Sequence, residues 1–185
     1  MQEKMKILAF AGSLRKNSYN RMLLKAIESL KPENLEIEFA ELNDIPLYNG
    51  DVEDEGVPEA VSKFKEKIKN SDGVIIATPE YNHAVSGVLK NALDWASRPP
   101  YNPFDNKAVG IVGASMGISG TISSQENLRH IGVRLNMHIM NTPAVLVMTA
   151  QDKFDETGNL TDERTKNSIE KFLAAFTDWV RKING

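Results

Sequence analysis

The feature of this chain that most constrains its fold is a repeated alternation between short apolar segments and longer segments with helical periodicity. Met5–Ala11 is a short apolar run that ends at Gly12, and Val74–Thr78 is a continuous run rich in β-branched residues. Both patterns are typical of buried strands. Between such runs, apolar residues recur three or four positions apart, as they do from Met22 to Leu30. Strict strand–helix alternation predicts a parallel sheet that is covered by helices on both faces.

The pattern predicts five strands and five helices. The strands are Met5–Ala11, Leu35–Leu42, Val74–Thr78, Ala108–Gly113 and a fifth extended segment, made of Met137–Met140 and Ala144–Val147 and broken near Pro143. This count is that of the flavodoxin-like, doubly wound α/β fold, for which strand order 2-1-3-4-5 is expected. The segments Asn43–Gly56 and Gln151–Thr161 are interpreted as loop insertions, and Thr161 as the cap of the last helix. The whole chain, residues 1–185, is predicted to form one domain.

Composition excludes several functional classes. The 185 residues include no cysteine, which excludes disulfides, thiolate zinc sites and cysteine nucleophiles. The formal charge is −3, with 22 Lys and Arg against 25 Asp and Glu, and this mild acidity argues against nucleic acid as a partner. No apolar run reaches the roughly 18 residues of a membrane span. These observations favour a soluble protein of the cytoplasm.

The first candidate binding loop, Gly12–Asn20, follows the first strand and opens the first helix. Amides at a helix N-terminus favour an anion, and Ser13, Ser18 and Asn20 add further donors. Arg15 can make a charged contact with phosphate oxygens. The loop matches neither GxxxxGK[ST] nor GxGxxG, so a terminal phosphomonoester is the ligand that fits best. The alternative is that Ser18 merely caps the helix.

Two further loops follow the third and fourth strands. In Thr78–His83, Pro79 stiffens the turn and leaves the following amides free to face a planar heterocycle, with Tyr81 as an aromatic wall. In Ala114–Thr121, Gly117 allows a close approach of the backbone. Taken singly, each could be an ordinary surface turn. Because parallel strands end at one edge of a sheet, the three loops are expected to meet in one crevice.

Four segments in order along the chain resemble a known family: Gly12–Asn20, Ile45–Asp51, Pro79–Trp95 and Ser115–Gly120. The chain is similar to the NAD(P)H-dependent FMN reductases of the flavodoxin-like superfamily, a group that includes chromate, quinone and azo reductases. The first and third segments are the specific ones. The alternation of strands and helices around them spans nearly the whole chain.

The resemblance implies one FMN per subunit and a set of residues that bind it. The phosphate would be held by Ser13, Arg15, Ser18 and Asn20; the isoalloxazine would be bordered, partly through main chain, by Pro79, Glu80, Tyr81 and Asn82, and lined on its other side by Ser115 and Gly117. No catalytic side chain is implied, because the flavin carries the chemistry. Lys90, Asn91 and Asp94 match the family too, and are expected to fix the third helix and a dimer contact.

The implied activity is hydride transfer from NADPH or NADH to bound FMN and then to a small-molecule acceptor, by a ping-pong mechanism. A quinone, free flavin, an azo compound or chromate could be that acceptor, and the sequence does not separate NADPH from NADH. Family members are usually homodimers or homotetramers. The alternative is an FMN-binding electron carrier without direct NAD(P)H oxidation. Such carriers are usually strongly acidic, so a charge of −3 favours the enzyme.

One departure from the family pattern matters. Many relatives have a glycine and then an arginine where this chain has Thr121 and Ser123, which removes any contact assigned to that arginine. His83 adjoins the second loop and is interpreted as a solvent-exposed side chain. His130 and His138 have no matching carboxylate pattern, so no metal site is predicted.

Overall fold

The computed structural model describes residues 4–185, and within this span six strands form one parallel sheet. The strands are β1 (Met5–Ala11), β2 (Leu35–Ala40), β3 (Gly73–Ala77), β4 (Ala108–Ala114), β5 (His138–Ile139) and β6 (Val145–Val147). The sheet order is β2-β1-β3-β4-β5, and β6 also pairs with β4. The predicted flavodoxin-like, doubly wound order is therefore confirmed.

The helices cover both faces of this sheet. They are α1 (Tyr19–Leu30), α2 (Gly50–Glu55), α3 (Glu59–Lys69), α4 (Gly87–Ala96), α5 (Ile122–Arg134) and α6 (Glu163–Asn184). Apolar side chains of α1 and α6 form a core on one face, and those of α3, α4 and α5 form a second core on the other. A 22-residue amphipathic helix such as α6 can cover most of one face.

Burial follows from position in the sheet. Every residue of β3 and β4 is buried, because helices lie on both sides of these central strands. β2 alternates apolar and acidic residues because it is an edge strand with one half-exposed face. Gly110 of β4 shows how closely α6 approaches, since a Cβ there would stand 2.6 Å from Phe172.

The structure corrects three details of the prediction. The segment Asn43–Gly56 contains the helix α2. Asn49 caps this helix, because its side chain accepts a hydrogen bond from the Asp51 amide. The helix is short and buries no side chain, so the sequence shows no apolar periodicity there. The predicted break of the fifth segment near Pro143 is confirmed, but its two parts are separate strands, β5 and β6, that are shorter than predicted and lie on either side of the cis peptide bond before Pro143. The cap of α6 is Asp162 instead of Thr161, since its carboxylate accepts from the Thr165 amide at 2.9 Å.

No helix within residues 4–185 combines the length and the apolar character that crossing a bilayer requires. The carboxyl ends of β1, β3 and β4 lie side by side at one edge of the sheet. This juxtaposition brings together the three loops that the sequence predicts to carry a ligand.

Candidate functional site

The three loops enclose one cleft with a volume of about 360 Å³. This is within the range of small-molecule sites. All the predicted site residues except Asn82 line it, together with four that were not predicted: Tyr19, Ala114, Met116 and Ser119. The structure thus brings the loops after β1, β3 and β4 to a single ligand-sized space.

At one end of the cleft, the N-terminus of α1 is open. Ser18 occupies the N-cap position with extended backbone, yet in the described chain it makes no side-chain cap bond, and the first turn of α1 carries no acidic residue. Ser13 and Ser18 are buried, with only 4% and 3% of their surface exposed, and both line the cleft. The first-turn amides and the positive end of the helix dipole are therefore available to an anion from the cleft side.

Two arginines of this region have different roles. Arg15 is exposed, lines the cleft, and forms no hydrogen bond or ion pair with its side chain among the residues the structure describes. Arg21, which is not among the predicted site residues, donates from Nε to the Ser13 carbonyl at 3.2 Å and pairs with Glu41. Arg21 lies three residues after Ser18, and this spacing places the two on neighbouring positions of one helix face. Arg21 holds the loop in shape, whereas Arg15 is free to bind.

Asn20 has a structural role that the sequence does not predict. Its buried amide donates from Nδ2 to the Ala114 carbonyl at 3.0 Å, and its Oδ1 accepts from the Ala114 amide at 2.9 Å. Both ends of the side chain are thus bound to the end of β4. Asn20 joins the first loop to the third, and the phosphate contact predicted for it stays a prediction.

Glu80 has a structural use that the sequence pattern does not reveal. Its carboxylate accepts from the Ser124 amide at 3.0 Å and from the Ser119 hydroxyl at 3.4 Å, so it caps α5 from a different loop. The Glu80 side chain is only 10% exposed. The Pro79 carbonyl next to it accepts from the Ser124 hydroxyl at 2.8 Å. These bonds fix the second loop to the third.

The rim of the second loop is a tight turn. Tyr81 and Ala84 form two backbone hydrogen bonds of 3.1 Å, and Asn82 and His83 between them both have positive φ. This is the pattern of a type I′ turn, in which asparagine is favoured. The turn presents Tyr81, half-exposed, to the cleft and directs Asn82 away from its lining.

On the opposite wall, Ser115 and Gly117 are held by the end of β6 and by the segment that follows it. The Ser115 amide donates to the Val147 carbonyl, and the Gly117 carbonyl accepts from the Thr149 amide at 3.1 Å. A Cβ at Gly117 would meet only the Ser115 hydroxyl, at 3.9 Å. The protein itself therefore leaves open space in front of Gly117.

The two departures from the family pattern have distinct surroundings. Thr121 is fully buried at the start of α5 with φ of 73°, a region that glycine adopts more easily. The Ser123 hydroxyl lies 3.4 Å from His83 Nδ1, and the His83 side chain is 86% exposed.

In the described part of the chain, no three His, Asp or Glu side chains meet in a way that could hold a metal ion.

The third predicted helix, α4, is fixed as expected. Lys90 binds Asp94 within the helix at 2.8 Å, and Asn91 holds the preceding loop through the Pro46 carbonyl and the Tyr48 amide. Trp95 Nε1 donates to the same Pro46 carbonyl at 2.9 Å. These contacts order the loop Asn43–Asn49 against α4.

Comparison with known proteins gives consistent matches over the whole fold. An NAD(P)H-dependent FMN reductase of Pseudomonas aeruginosa is 45% identical over 185 residues, which is all of both chains. A quinone reductase of Escherichia coli is 39% identical over 186 residues, covering 99% of each chain. The solved structure of FerB, a flavoenzyme NAD(P)H:(acceptor) oxidoreductase from Paracoccus denitrificans, superposes with a TM-score of 0.88 at 34% identity, covering 96% of this chain and 98% of that one.

The family model described as NADPH-dependent FMN reductase matches residues 5–152, a range that contains all three loops of the cleft. The strand order, the cleft at the carboxyl edge and these full-length similarities agree. The chain belongs to the NADPH-dependent FMN reductase family.

Proposed function

We propose that this chain is an FMN-dependent NAD(P)H oxidoreductase that delivers electrons to a small-molecule acceptor such as a quinone. The observation that carries the proposal is the open N-terminus of α1 at the end of a three-loop cleft. Bound FMN would supply the chemistry, accepting hydride from NAD(P)H and passing electrons on. The protein's contribution is to bind, orient and enclose the groups that react.

The phosphate end of FMN fits the residues present. A dianionic phosphate needs several converging donors, and the first turn of α1, the Ser13 and Ser18 hydroxyls and the Arg15 guanidinium all border the same end of the cleft. None of the three side chains donates a hydrogen bond elsewhere within residues 4–185. We assign the phosphate to these three residues, with Asn20 and Arg21 holding the loop in place.

The isoalloxazine ring of FMN fits the residues at the other end of the cleft. The Glu80 amide has no hydrogen-bond acceptor among the described residues, and it stands at the cleft between the stiff Pro79 and the rim residue Tyr81. A main-chain donor at this place matches the polar rim of a flavin. Ser115 and the open space at Gly117 give the second wall. We propose that these residues border the isoalloxazine and that Asn82 acts through the turn it forms.

The shape of the cleft favours a ping-pong order. One crevice, formed by the three loops, serves the whole site, so NAD(P)H and the acceptor would approach through the same opening. Two ligands that need one space must bind in turn. No side chain of the cleft is assigned a catalytic proton transfer.

The test is an absorbance spectrum of the purified protein with FMN, followed by anaerobic addition of NADPH or NADH. We expect flavin bands that shift on binding and bleach when the dinucleotide is added. Bound flavin that stays oxidised with both dinucleotides would identify an electron carrier instead. Protein that does not bind flavin would contradict the site assignment. Initial-rate measurements with a quinone, giving parallel double-reciprocal lines, then test the ping-pong order.

We further propose that residues 1–185 act as one domain and assemble as a homodimer or homotetramer. Large apolar side chains stand exposed beside the cleft and on the loop before α2: Leu14, Leu47, Met116 and Ile118. Exposed apolar groups of this kind are often covered by another subunit. Light scattering after gel filtration measures the assembly. A cytoplasmic location is proposed because NAD(P)H is regenerated there.

A further inference from the structure

Two buried hydroxyl groups lie behind the second loop of the cleft. Thr78 directly follows β3 and Ser124 is in the first turn of α5, and both residues are fully buried. Their hydroxyl oxygens lie 2.6 Å apart, and the Pro79 carbonyl oxygen is 3.0 Å from that of Thr78 and 2.8 Å from that of Ser124. Neither residue lines the cleft, so a direct ligand contact does not explain this arrangement.

The two hydroxyl protons can be assigned from these three distances. Two hydroxyl oxygens 2.6 Å apart repel each other unless a proton lies between them, so one of the two protons belongs to that contact. The other proton points to the Pro79 carbonyl, and the shorter distance favours Ser124 as its donor. Thr78 therefore donates to Ser124, and Ser124 donates to the carbonyl. Each hydrogen bond in such a chain polarises and strengthens the next.

The hydroxyl pair determines the orientation of the peptide group between Pro79 and Glu80. The pyrrolidine ring fixes φ of Pro79, so the freedom that remains is rotation of this peptide plane. The peptide is trans, and in a trans peptide the carbonyl and the N–H point in opposite directions. Because the carbonyl is bound to α5, the Glu80 N–H points away from α5, toward the cleft that Pro79, Glu80 and Tyr81 line.

The Glu80 side chain holds the same peptide group from its other end. Its carboxylate accepts from the Ser124 amide at 3.0 Å, so one residue of α5 binds both the carbonyl before Glu80 and the Glu80 carboxylate. Rotation of the peptide plane would leave the Pro79 carbonyl without its hydroxyl donor in a buried place, which is unfavourable. The direction of the Glu80 N–H is therefore fixed before a ligand enters the cleft.

We infer that Ser124 and Thr78 are positioning residues, which hold the Glu80 N–H toward the isoalloxazine and so make the protein favour reduced over oxidised FMN. Reduction adds negative charge to the ring, and a preorganised N–H dipole that faces the ring stabilises this charge. The inference deepens the proposed function and rests on it, because the ring is assigned there to this end of the cleft. Ser124 and Thr78 themselves act only through the peptide group that they hold.

The first test is the midpoint potential of bound FMN, measured anaerobically against a reference dye, so that no dinucleotide is needed. Thr78→Val leaves the Ser124 bond to the carbonyl intact, and in Ser124→Ala the Thr78 hydroxyl can turn to the carbonyl at 3.0 Å. Each single substitution should change the preference for reduced FMN by less than about twofold. The double variant keeps neither hydroxyl and should lose about tenfold, which lowers the two-electron potential by about 30 mV.

Ser123→Ala is the matched control, because Ser123 precedes Ser124 in α5 and its hydroxyl lies beside the rim residue His83. It should leave the potential unchanged. The non-additive effect of the two substitutions distinguishes a shared carbonyl from lost packing, which would lower stability without moving the potential. A double variant that binds FMN with the wild-type potential would overturn the inference.

The second test uses FMN-free protein and does not depend on the proposed function. Backbone amide relaxation, measured by NMR, should show a rigid Glu80 N–H in the wild type, with an order parameter of about 0.85. The order parameter should be lower in the double variant and unchanged in Ser123→Ala. A mobile Glu80 N–H in the wild type would overturn the inference, even if the double variant does not fold. Failure of the wild type to bind FMN would contradict the proposed function, while relaxation would still judge the orientation of the peptide.

Discussion

Two helix N-termini in this molecule begin in the same way and serve opposite purposes. α1 follows β1, α4 follows β3, and each starts at a buried serine with extended backbone, Ser18 and Ser86. The Ser86 hydroxyl accepts from the Leu89 amide at 3.1 Å and donates to the Gly12 carbonyl at 2.5 Å. The Ser18 hydroxyl makes no bond to the described chain and faces the cleft.

Under the proposed function, one of these serines stabilises its helix and the other serves binding, at neighbouring places on one sheet edge. At α4 the cap is complete within the protein and also ties down the first loop through Gly12. At α1 the cap is left incomplete, so that amide donors and positive potential remain directed at the cleft. A serine at an N-cap position can either cap its helix or leave the helix N-terminus open to a ligand, and the atoms around it decide which.

Ser86→Ala should have the largest effect on stability. It removes a helix cap and leaves the buried Gly12 carbonyl without its donor, so the free energy of unfolding should fall by about 3 kcal/mol. Chemical denaturation of the FMN-free protein measures this. Ser168→Ala, an exposed serine on α6, is the control and should change stability by less than about 0.5 kcal/mol. An unchanged denaturation midpoint for Ser86→Ala would show that the Ser86 hydroxyl does not stabilise the protein.

Arg15→Ala should affect binding and not folding. The side chain has no partner in the described chain, while the phosphate would lose a charged hydrogen bond, so FMN affinity should drop roughly 30-fold. Fluorescence titration of FMN measures the affinity. Arg134→Ala, which alters an exposed arginine at the end of α5, should retain normal affinity. Full FMN retention in Arg15→Ala would show that the phosphate lies elsewhere.

Ser18→Ala tests the serine at the N-terminus of α1 in the same way as Ser86→Ala tests that of α4. Because Ser18 makes no cap bond, the free energy of unfolding should stay within about 0.5 kcal/mol of the wild type. FMN affinity should fall about fivefold, the loss of one neutral hydrogen bond to phosphate. The same denaturation and titration experiments report both numbers. A strong loss of stability with normal FMN affinity would mean that Ser18 is a structural cap after all.

The smallest expected effect concerns a third N-terminus, that of α6. The Thr165 hydroxyl, Lys153 and the Thr165 amide stabilise the ionised Asp162 carboxylate and lower its pKa to about 2. A depressed carboxyl pKa contributes stability that is complete above the unfolded value of 3.8 and is lost as the pH falls through about 2. The FMN-free wild type should therefore lose stability across this window, and Asp162→Asn should lose less.

Asp155 also has a pKa lowered to about 2, by hydrogen bonds from Thr157 and Asn159, but it titrates in both proteins. The difference between the two acid denaturation curves therefore isolates Asp162. Identical curves would show that this cap is not sensitive to charge. No comparable acid dependence is expected from α1, whose first turn has no acidic residue in the described chain.

Most of the sheet could be predicted because burial on both faces leaves continuous apolar runs, and β1 has the predicted bounds. The location of the cleft followed from the rule that parallel strands end at one edge. α2 could not be predicted, because no residue of it is buried. The hydrogen bonds of Asn20 and Glu80 could not be predicted either. Their backbone partners lie 94 and 44 positions away in the sequence, and only folding brings them close.

The paired hydrogen bonds between Asn20 and Ala114 have a consequence for substitutions of Asn20. An asparagine in a phosphate-binding motif is easily interpreted as a ligand contact, but here its donor and acceptor match the carbonyl and the amide of one residue, Ala114, at the end of a distant strand. Aspartate would lose the donor and leucine would lose both. A substitution at this position would therefore act on the joint between two loops. Its loss would change how the two walls of the cleft are held together, even where every other residue of the cleft lining stayed the same.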